Sequence, residues 1–317
     1  MTRIPGRGLF YGGGAPEALE RGGWWRAARF SVEMARVVRE RARRWDAAVC
    51  HWLVPGALAT MATTRLPVLA IAHSGDVHML ERMKLLGAFA RLAARREVRL
   101  SFVSEELRAR FLAAARVPLT TQVCPMGIDL ARFRRTAARD GRTVLFLGRL
   151  VPVKGAVHLV EAARRWRSGA RLVIAGDGPE RASLERAAAG AATFTGAVHG
   201  AERDALLAAA DVVVLPSVRL PDGRTEGTPL VALEAMAARA ALVVSSVGGL
   251  AELPVTRVPA GSPDALAAAI DALLADPARR AAQLAAQDRH VATRDWAAVG
   301  PRLNPVWKAR SAVRGAA

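Results

Sequence analysis

Short apolar runs alternate with longer amphipathic segments along most of the chain. In the first half, strands are predicted at 47–54, 67–72 and 98–103, where the apolar runs have the length of strands. One helix is predicted over 15–44. A second follows the segment 73–76 and extends to about residue 96, and a third begins at residue 105. The last of these follows Ser104, which is suited to the N-cap, and has two glutamates in its first turn. This alternation of strands and helices favours a parallel sheet in an α/β domain.

The same alternation resumes after a polar connection at 131–142, which has no periodic apolar face. Strands are predicted at 143–147, 172–175, 212–215 and 241–244, and helices begin near residues 156, 180 and 229. A chain of 317 residues with 52% hydrophobic content is long enough for two cores. We therefore predict an α/β protein with two Rossmann-like, doubly wound domains. The first spans 1–130, a linker spans 131–142, the second spans 143–295, and the segment 296–317 is expected to cross back to the first domain.

The composition gives no sign of a membrane span or of export. The longest uncharged stretch, 47–64, is interrupted by His51, Pro55 and Gly56. The N-terminal residues lack the apolar region of a signal peptide. The two cysteines of the chain form neither a disulfide framework nor a zinc-ligand spacing. These features predict a soluble protein of the cytoplasm.

The charge is strongly positive and unevenly distributed. There are 46 Lys and Arg against 28 Asp and Glu, which gives +18 overall, and residues 1–140 alone hold 24 basic against 12 acidic side chains. This excess fits either a surface for anionic partners or arginines dispersed over a solvated surface. No nucleic-acid-binding motif accompanies it, so nucleic acid is not an expected partner.

The predicted helix over 81–96 has two interpretations. Its basic residues lie among Leu85, Leu86, Phe89 and Leu92. Such a helix either lies on an anionic membrane, peripheral to its inner face, or packs an apolar stripe on the core and exposes a basic face. Both interpretations stay open at the level of the sequence.

Two carboxylates eight positions apart lie on either side of a predicted helix start. Glu226 precedes the start, and Glu234 follows it on the helix. Thr228 is suited to the N-cap and Pro229 to the first helical position, so the backbone N–H groups that follow are predicted to be available to a diphosphate. The predicted ligand-binding residues of this segment are Gly227, Thr228, Leu230 and Glu234. Carboxylates there can accept hydrogen bonds from sugar and ribose hydroxyls.

A second candidate loop follows the predicted strand at 143–147 and contains Arg149 and Lys154. Ligands of open α/β sheets bind beyond the carboxyl ends of the strands. This loop and the Glu226 loop are therefore predicted to converge on one diphosphate. Arg149 would bind its oxygens through the guanidinium fork, and Lys154 would act as a point charge.

The ordered motifs resemble those of retaining glycosyltransferase family four, the group 1 glycosyl transferases with the two-domain GT-B fold. In the second half the resemblance rests on 148–155, 175–179, 194–196 and the two-glutamate segment 226–237. In the first half it rests on looser matches at 51–55, 72–76, 102–104 and 125–129. Met126 stands where the family commonly has Asn.

The resemblance implies transfer of a sugar from a nucleotide-diphosphate sugar to an acceptor hydroxyl, with retention of anomeric configuration and without a metal or other cofactor. In the family, the residues matching Arg149 and Lys154 hold the diphosphate, and the one matching Glu234 holds the ribose. The residues matching Glu226 and His73 contact the donor sugar, the latter from the first domain. The acceptor, whether lipid-linked, a polysaccharide or a small molecule, is not indicated.

The chain departs from the family at its beginning. Family members start with a strand, a Gly-rich loop and a helix before the counterpart of residues 12–17, whereas this chain starts close to that point. We therefore expect the first domain to be incomplete at its N-terminus. The alternative function is a non-catalytic, GT-B-like subunit that binds a sugar nucleotide or a partner.

Two weaker signals are interpreted as structural. The glycine run at 12–14 has no strand before it, which favours a flexible connector over a phosphate-binding loop. His73, Asp76 and His78 lack evident further ligands, so no metal site is predicted there.

Overall fold

A computed structural model of the chain describes residues 24–133, 138–227 and 229–303. Within them the chain forms two compact units. The first comprises the described residues up to Pro125 and those from Gly300 onward, and the second comprises Met126–Val299. The glycine run at 12–14 and most of the segment 296–317 lie outside the described residues. None of the described helices has the length and apolar character needed to cross a bilayer.

Four strands form the parallel sheet of the first unit: β1 (Ala48–His51), β2 (Val68–Ala72), β3 (Arg99–Phe102) and β4 (Thr120–Val123). They lie in the order β1-β2-β3-β4. Its helices are α1 (Trp24–Arg41), α2 (Leu58–Thr63), α3 (Ser74–Arg82), α4 (Leu86–Arg95) and α5 (Glu105–Ala115). All five residues of β2 are buried, as its uninterrupted apolar sequence predicts for a strand inside a parallel sheet.

The helix predicted up to residue 96 is interrupted in the structure, so the prediction of one continuous helix is wrong. Lys84 has a left-handed backbone conformation (φ 57°), and α3 ends at Arg82 while α4 begins at Leu86. Neither glycine nor proline occurs between Arg82 and Leu86. The periodicity of the sequence therefore contains no signal for the break.

α4 packs its apolar side on the core of the first unit. Phe89 is buried, and its ring lies edge-on to that of Phe111, with 6.5 Å between the ring centroids. Arg91 and Arg95 are exposed. Of the two interpretations of this segment, α4 therefore adopts the one in which the apolar stripe faces the core.

Six strands form the parallel sheet of the second unit: β5 (Thr143–Leu147), β6 (Arg171–Ala175), β7 (Ala192–Gly196), β8 (Val212–Leu215), β9 (Ala241–Ser245) and β10 (Thr256–Val258). The helices that follow the first unit along the chain are α6 (Leu130–Phe133), α7 (Ala156–Ala163), α8 (Arg181–Ala188), α9 (Gly200–Ala209), α10 (Leu230–Ala237), α11 (Pro263–Ala275), α12 (Pro277–Ala292) and α13 (Trp296–Leu303). Short 3-10 turns lie at Pro152–Lys154 and Gly248–Glu252.

The order of these six strands reverses between β5 and β8. The sheet has the order β10-β9-β8-β5-β6-β7, so the chain proceeds outward from β5 to β7 and then continues on the other side of β5. A sheet with this order is doubly wound, and its ligands bind beyond the carboxyl ends of the two central strands. The predicted α/β class is confirmed. The two candidate loops follow β5 and β8, the strands between which the order reverses.

Each face of the second sheet carries its own core. Leu145 and Val213 belong to one core, whereas Val144, Phe146 and Val214 belong to the other. Alternate residues of a strand point to opposite faces, so β5 and β8 contribute to both cores. The continuous apolar sequences of these strands follow from burial on both faces.

The polar connection predicted at 131–142 lies inside the second unit as far as it is described. Phe133 at the end of α6 is buried. The guanidinium of Arg139 donates to the carbonyl oxygens of Ala208, Ala238 and Arg239. These hydrogen bonds attach the polar connection to α9 and to the end of α10. The polar composition of the connection does not reveal this attachment.

Candidate functional site

The loops that follow β5 and β8 are joined through their backbones. Val218 donates its N–H to the carbonyl oxygen of Val153 at 3.0 Å. Gly155 ends the 3-10 turn in a left-handed conformation (φ 63°), and a Cβ there would collide with the carbonyl oxygen of Pro216. Only glycine permits both the conformation and the close approach. Gly155 thereby holds the preceding residue, Lys154, beside the loop that follows β8.

Lys154 and Glu226 form an ion pair between these two loops. Their Nζ and Oε2 atoms are 2.6 Å apart, and their side chains are only 19% and 17% exposed. Water screens such a pair less than it screens a pair on the open surface, so the two charges fix each other's position. Two predicted site residues therefore meet beyond the carboxyl ends of the central strands.

The backbone of Glu226 is also held by the loop that follows β9. Gly249 donates its N–H to the carbonyl oxygen of Glu226 at 3.3 Å. Gly248 has a left-handed conformation (φ 50°), and a Cβ there would collide with the same oxygen. Gly248 is absent from the predicted site residues. The two consecutive glycines after a strand are the signal that marks a close approach of this kind.

α10 begins directly after the Glu226 loop. Pro229 is extended (φ −68°, ψ 137°) and occupies the N-cap, so the helix begins at Leu230, one residue later than predicted. Leu230 is exposed, Gly227 is partly exposed, and Thr228 lies outside the described residues. The first N–H groups of a helix have no acceptor within the helix and favour an anion. Phosphate binding at the start of α10 stays a prediction, and the position of this helix start is compatible with it.

Glu234 lies further along α10, where it is buried. Its Oε2 contacts the guanidinium of Arg203, a residue of α9. Arg203 is absent from the predicted site residues. The two residues are 31 positions apart on different helices, so no local pattern in the sequence pairs them.

Arg149 lies on the loop after β5, where it is exposed. The motif at 175–179 supports this loop: Gly148 donates its N–H to Ala175, and Leu150 donates its N–H to Asp177, at 3.0 and 2.9 Å. Asp177 also accepts the N–H of Gly178 through Oδ1, as a turn residue does. The backbone conformation at Arg149 is therefore fixed by hydrogen bonds to β6 and to the loop that follows it.

His73 lies in the first unit, where it follows β2. Its Nε2 is 3.3 Å from Nδ1 of His51, the last residue of β1, and the two rings stack. The ring centroids of Trp52 and His73 are 5.8 Å apart. Burial, and secondarily the neighbouring His51, lowers the pKa of His73 to about 4. His73 is therefore neutral near pH 7, with one ring nitrogen as donor and the other as acceptor.

Asp76 ties the start of α3 to the segment after β1. Its carboxylate accepts the N–H groups of Leu53 and Val77 at 2.6 and 3.0 Å. Complete burial raises its pKa to about 7, against the opposing effect of these hydrogen bonds. Across the described part of the chain, no three His, Cys, Asp or Glu side chains are grouped as metal ligands. The hydrogen bonds from Leu53 and Val77 give Asp76 a structural role in positioning this segment.

Comparison with known sequences adds to this geometry. The profile of the family described as Glycosyl transferases group 1 matches residues 141–276. The GDP-mannose-dependent alpha-(1-6)-phosphatidylinositol monomannoside mannosyltransferase of Mycolicibacterium smegmatis is 32% identical over 277 residues, which cover 80% of this chain and 72% of that protein. An uncharacterized glycosyltransferase of Methanocaldococcus jannaschii is 40% identical over 158 residues, which cover 45% of this chain and 39% of that relative. The chain thus spans about two fifths of the length of the second relative.

Solved structures share the architecture of the two units. The structure of HepE of Anabaena in complex with UDP has a TM-score of 0.72 to this chain, at 20% sequence identity. The match covers 89% of this chain and 82% of that chain. HepE has also been solved in complex with UDP-glucose. The likeness shows a common fold, with α/β units and parallel sheets.

Proposed function

Because the chain belongs to the group 1 glycosyltransferases, we propose that it transfers a sugar from a nucleotide-diphosphate sugar to an acceptor hydroxyl, with retention of anomeric configuration. The observation that carries the proposal is the ion pair of Lys154 and Glu226, at 2.6 Å, beyond the central strands of the doubly wound sheet. This place combines a cation, a helix start and a carboxylate. The first two suit a diphosphate and the third suits sugar hydroxyls.

Each residue of this site has a proposed role in binding the donor. Arg149 and Lys154 hold the diphosphate, together with the backbone N–H groups of Gly227 and Leu230. Glu226 accepts hydrogen bonds from the donor sugar, and Glu234 accepts them from the ribose. These roles follow from charge: the cations and N–H groups face phosphate, and the carboxylates face hydroxyls.

The proposed catalysis is electrostatic and uses no metal. As the bond between sugar and diphosphate breaks, negative charge develops on the leaving phosphate, and Lys154 and Arg149 stabilise it. The leaving phosphate can take the proton of the acceptor hydroxyl on the same face of the sugar, so no protein nucleophile is invoked. His73, which its environment keeps neutral near pH 7, is proposed as a hydrogen-bonding partner of a sugar hydroxyl.

Calorimetric titration tests the donor site directly. UDP, GDP and ADP are titrated into the wild-type protein and into Glu234→Gln, since one relative named above is GDP-mannose-dependent and HepE was solved in complex with UDP. We expect saturable binding of one of the three nucleotides and weaker binding to the variant. If none of the three binds to the wild-type protein, the proposal is wrong and the chain is better explained as a partner subunit.

The stereochemistry is tested by proton NMR of the first sugar released. A nucleotide sugar with an α linkage is incubated with the protein, and the anomeric proton of the released sugar is observed before mutarotation mixes the anomers. Retention predicts the α anomer as the first product. Initial appearance of the β anomer would contradict retention and leave the donor site unaffected.

We also propose that the protein acts at the inner, cytoplasmic face of an anionic membrane through the loop between α3 and α4. Met83 and Leu85 are 56% and 45% exposed there, on either side of Lys84. Exposed apolar side chains beside basic ones suit the headgroup region of an anionic bilayer.

Flotation with phosphatidylglycerol vesicles at low salt tests this membrane contact. Retention should fall in the Met83→Ser, Leu85→Ser double variant, and absence of wild-type retention would exclude the membrane contact.

A further inference from the structure

Arg203 of α9 pairs with Glu234, the residue to which the proposed function assigns the ribose. The guanidinium Nη2 contacts Oε2 of Glu234, and the two side chains are only 22% and 11% exposed. A charge so far removed from water is stabilised when it is paired and hydrogen-bonded. Arg203 therefore fixes the direction of this carboxylate as well as balancing its charge.

Arg203 is in turn held by a row of alternating charges. Its Nη1 lies 3.8 Å from Oδ1 of Asp204. Asp204 accepts two hydrogen bonds from the guanidinium of Arg132 on α6, at 2.9 and 3.1 Å. The row Glu234, Arg203, Asp204, Arg132 alternates in sign and links three helices. The hydrogen-bonded pairs, Arg203 with Glu234 and Arg132 with Asp204, fix the orientation of their planar guanidinium groups, and the contact between Arg203 and Asp204 is electrostatic.

Resting on the proposed function, we propose that Arg203 is a positioning residue that orients Glu234 towards the ribose hydroxyls of the donor nucleotide. Arg203 contacts Oε2 of Glu234, which assigns Oε1 to the ribose. A fixed acceptor strongly favours a ligand that carries the hydroxyl over one that lacks it. Arg203 thereby sets the preference of the site for ribonucleoside over deoxyribonucleoside diphosphates, without contacting the reacting atoms.

The test compares a nucleoside diphosphate with its 2′-deoxy and 3′-deoxy analogues. UDP, GDP and ADP are titrated first, and the one that binds is used with its two analogues. The variants are Arg203→Met, Arg203→Lys and Glu234→Gln. Arg171→Met is the matched control, because Arg171 forms an exposed ion pair with Asp140 at the start of β6, the end of the strand opposite the site.

We expect the wild-type protein to prefer the ribonucleotide by about tenfold or more, the range for hydrogen bonds to a charged group. In Arg203→Met the ribonucleotide should bind about as weakly as its deoxy analogue, whose affinity should change less than about twofold. Arg203→Lys should recover part of the preference, because a lysine restores the charge without the fork. Arg171→Met should behave as the wild-type protein does.

Two outcomes would overturn this inference while leaving the donor site intact. One is an Arg203→Met variant that keeps the full ribose preference while Glu234→Gln loses it. The other is an equal loss of affinity for both nucleotides, which would indicate a general effect on the pocket. If Arg203→Met does not fold by circular dichroism, Arg203→Lys decides, and an undiminished preference there refutes the role. Absence of nucleotide binding to the wild-type protein would overturn the proposed function and this inference together.

Discussion

Lys154 and Glu226 lie 2.6 Å apart although they belong to loops that follow different strands. The strands concerned, β5 and β8, are hydrogen-bonded neighbours, with Val144 opposite Val212 and Leu145 opposite Val213. The loops are therefore brought together by the strand order, and Gly155 and Gly248 determine how closely they approach. A nucleoside diphosphate at this place would compete with Glu226 for the cation.

Removal of the lysine should weaken donor binding more than the loss of one contact implies. In Lys154→Met, the diphosphate loses a charge-assisted interaction of about 1.5–3 kcal/mol, and the carboxylate of Glu226 is left to repel it. We expect the dissociation constant to rise by about tenfold or more. In Lys154→Met, Glu226→Gln, part of this loss should be recovered because the repulsion is removed.

Calorimetric titration of the two single variants and the double variant measures this coupling. Arg36→Met, which removes an exposed ion pair on α1, is the control and should bind nucleotide as the wild-type protein does. Equal nucleotide affinity in the wild-type protein and Lys154→Met would show that Lys154 does not bind the diphosphate.

Two glycines with the same backbone conformation should differ sharply in their response to alanine. Gly155 and Gly169 have φ values of 63° and 64°, but a Cβ meets the Pro216 carbonyl oxygen at the first and nothing within 4 Å at the second. Gly169→Ala should cost only the left-handed conformation, about 1–2 kcal/mol. Gly155→Ala should cost more, about 2–4 kcal/mol, because the two loops must also separate. Urea unfolding followed by circular dichroism gives both values, and equal destabilisation would contradict the close approach.

Gly248→Ala should impair the proposed sugar transfer because it displaces Glu226. A Cβ at Gly248 collides with the Glu226 carbonyl oxygen, whereas a Cβ at Gly261, with φ 70°, has its nearest contact 3.8 Å away on the His158 ring. We expect kcat to fall by about tenfold or more in Gly248→Ala, since small displacements of a positioned group are costly. Gly261→Ala is the matched control. A Gly248→Ala enzyme with the kcat of the control would show that the backbone of Glu226 tolerates displacement.

Acidification from pH 6.5 to 4 should destabilise the protein through His73. Its pKa is lowered from 6.5 to about 4, so between these values the unfolded chain binds a proton that the folded chain does not. The stability contributed by the neutral imidazole is complete above pH 6.5 and is lost as the pH falls through about 4. The loss is at most ~3.5 kcal/mol, from about 1.4 kcal/mol for each pKa unit.

Asp76 changes stability in the opposite direction, so the measurement must isolate His73. The pKa of Asp76 is raised to about 7, and its contribution is present at low pH and lost as the pH rises through 7. The difference in free energy of unfolding between the wild-type protein and His73→Gln cancels the Asp76 effect. This difference should fall as the pH is lowered from 6.5 to 4.5, and His199→Gln, at an exposed position, is the control substitution. A difference that does not vary with pH would refute the lowered pKa.

The sequence alone predicts the family and the α/β fold, and both are confirmed, whereas the roles of the site residues remain predictions. The strands inside the sheets are found at their predicted places because burial on both faces requires a continuous apolar run. β4, β7 and β10 are missing from the predicted strands. Each lies at an edge of its sheet as described, and partial exposure interrupts its apolar run, whereas β1, also at an edge, keeps the apolar run that predicts it.

The site shows the same division between what the sequence reveals and what it does not. The convergence of Lys154 and Glu226 follows from a general rule about strand ends, so it can be predicted without coordinates. The pairing of Arg203 with Glu234 depends on how two helices pack side by side. No periodicity or motif specifies that packing, so only the contact itself identifies Arg203 as a partner of Glu234.

The place of β5 and β8 in the sheet also affects how the protein responds to thermal fluctuations. β7 and β10 form the outer margins of the six-stranded sheet, and most of their residues are at least partly exposed. Local opening begins where backbone hydrogen bonds are least protected, so these margins can fray while the central strands stay paired. The loops that carry Lys154 and Glu226 would then keep their geometry through such openings. Slow amide exchange should be concentrated beneath the site rather than spread evenly across the sheet.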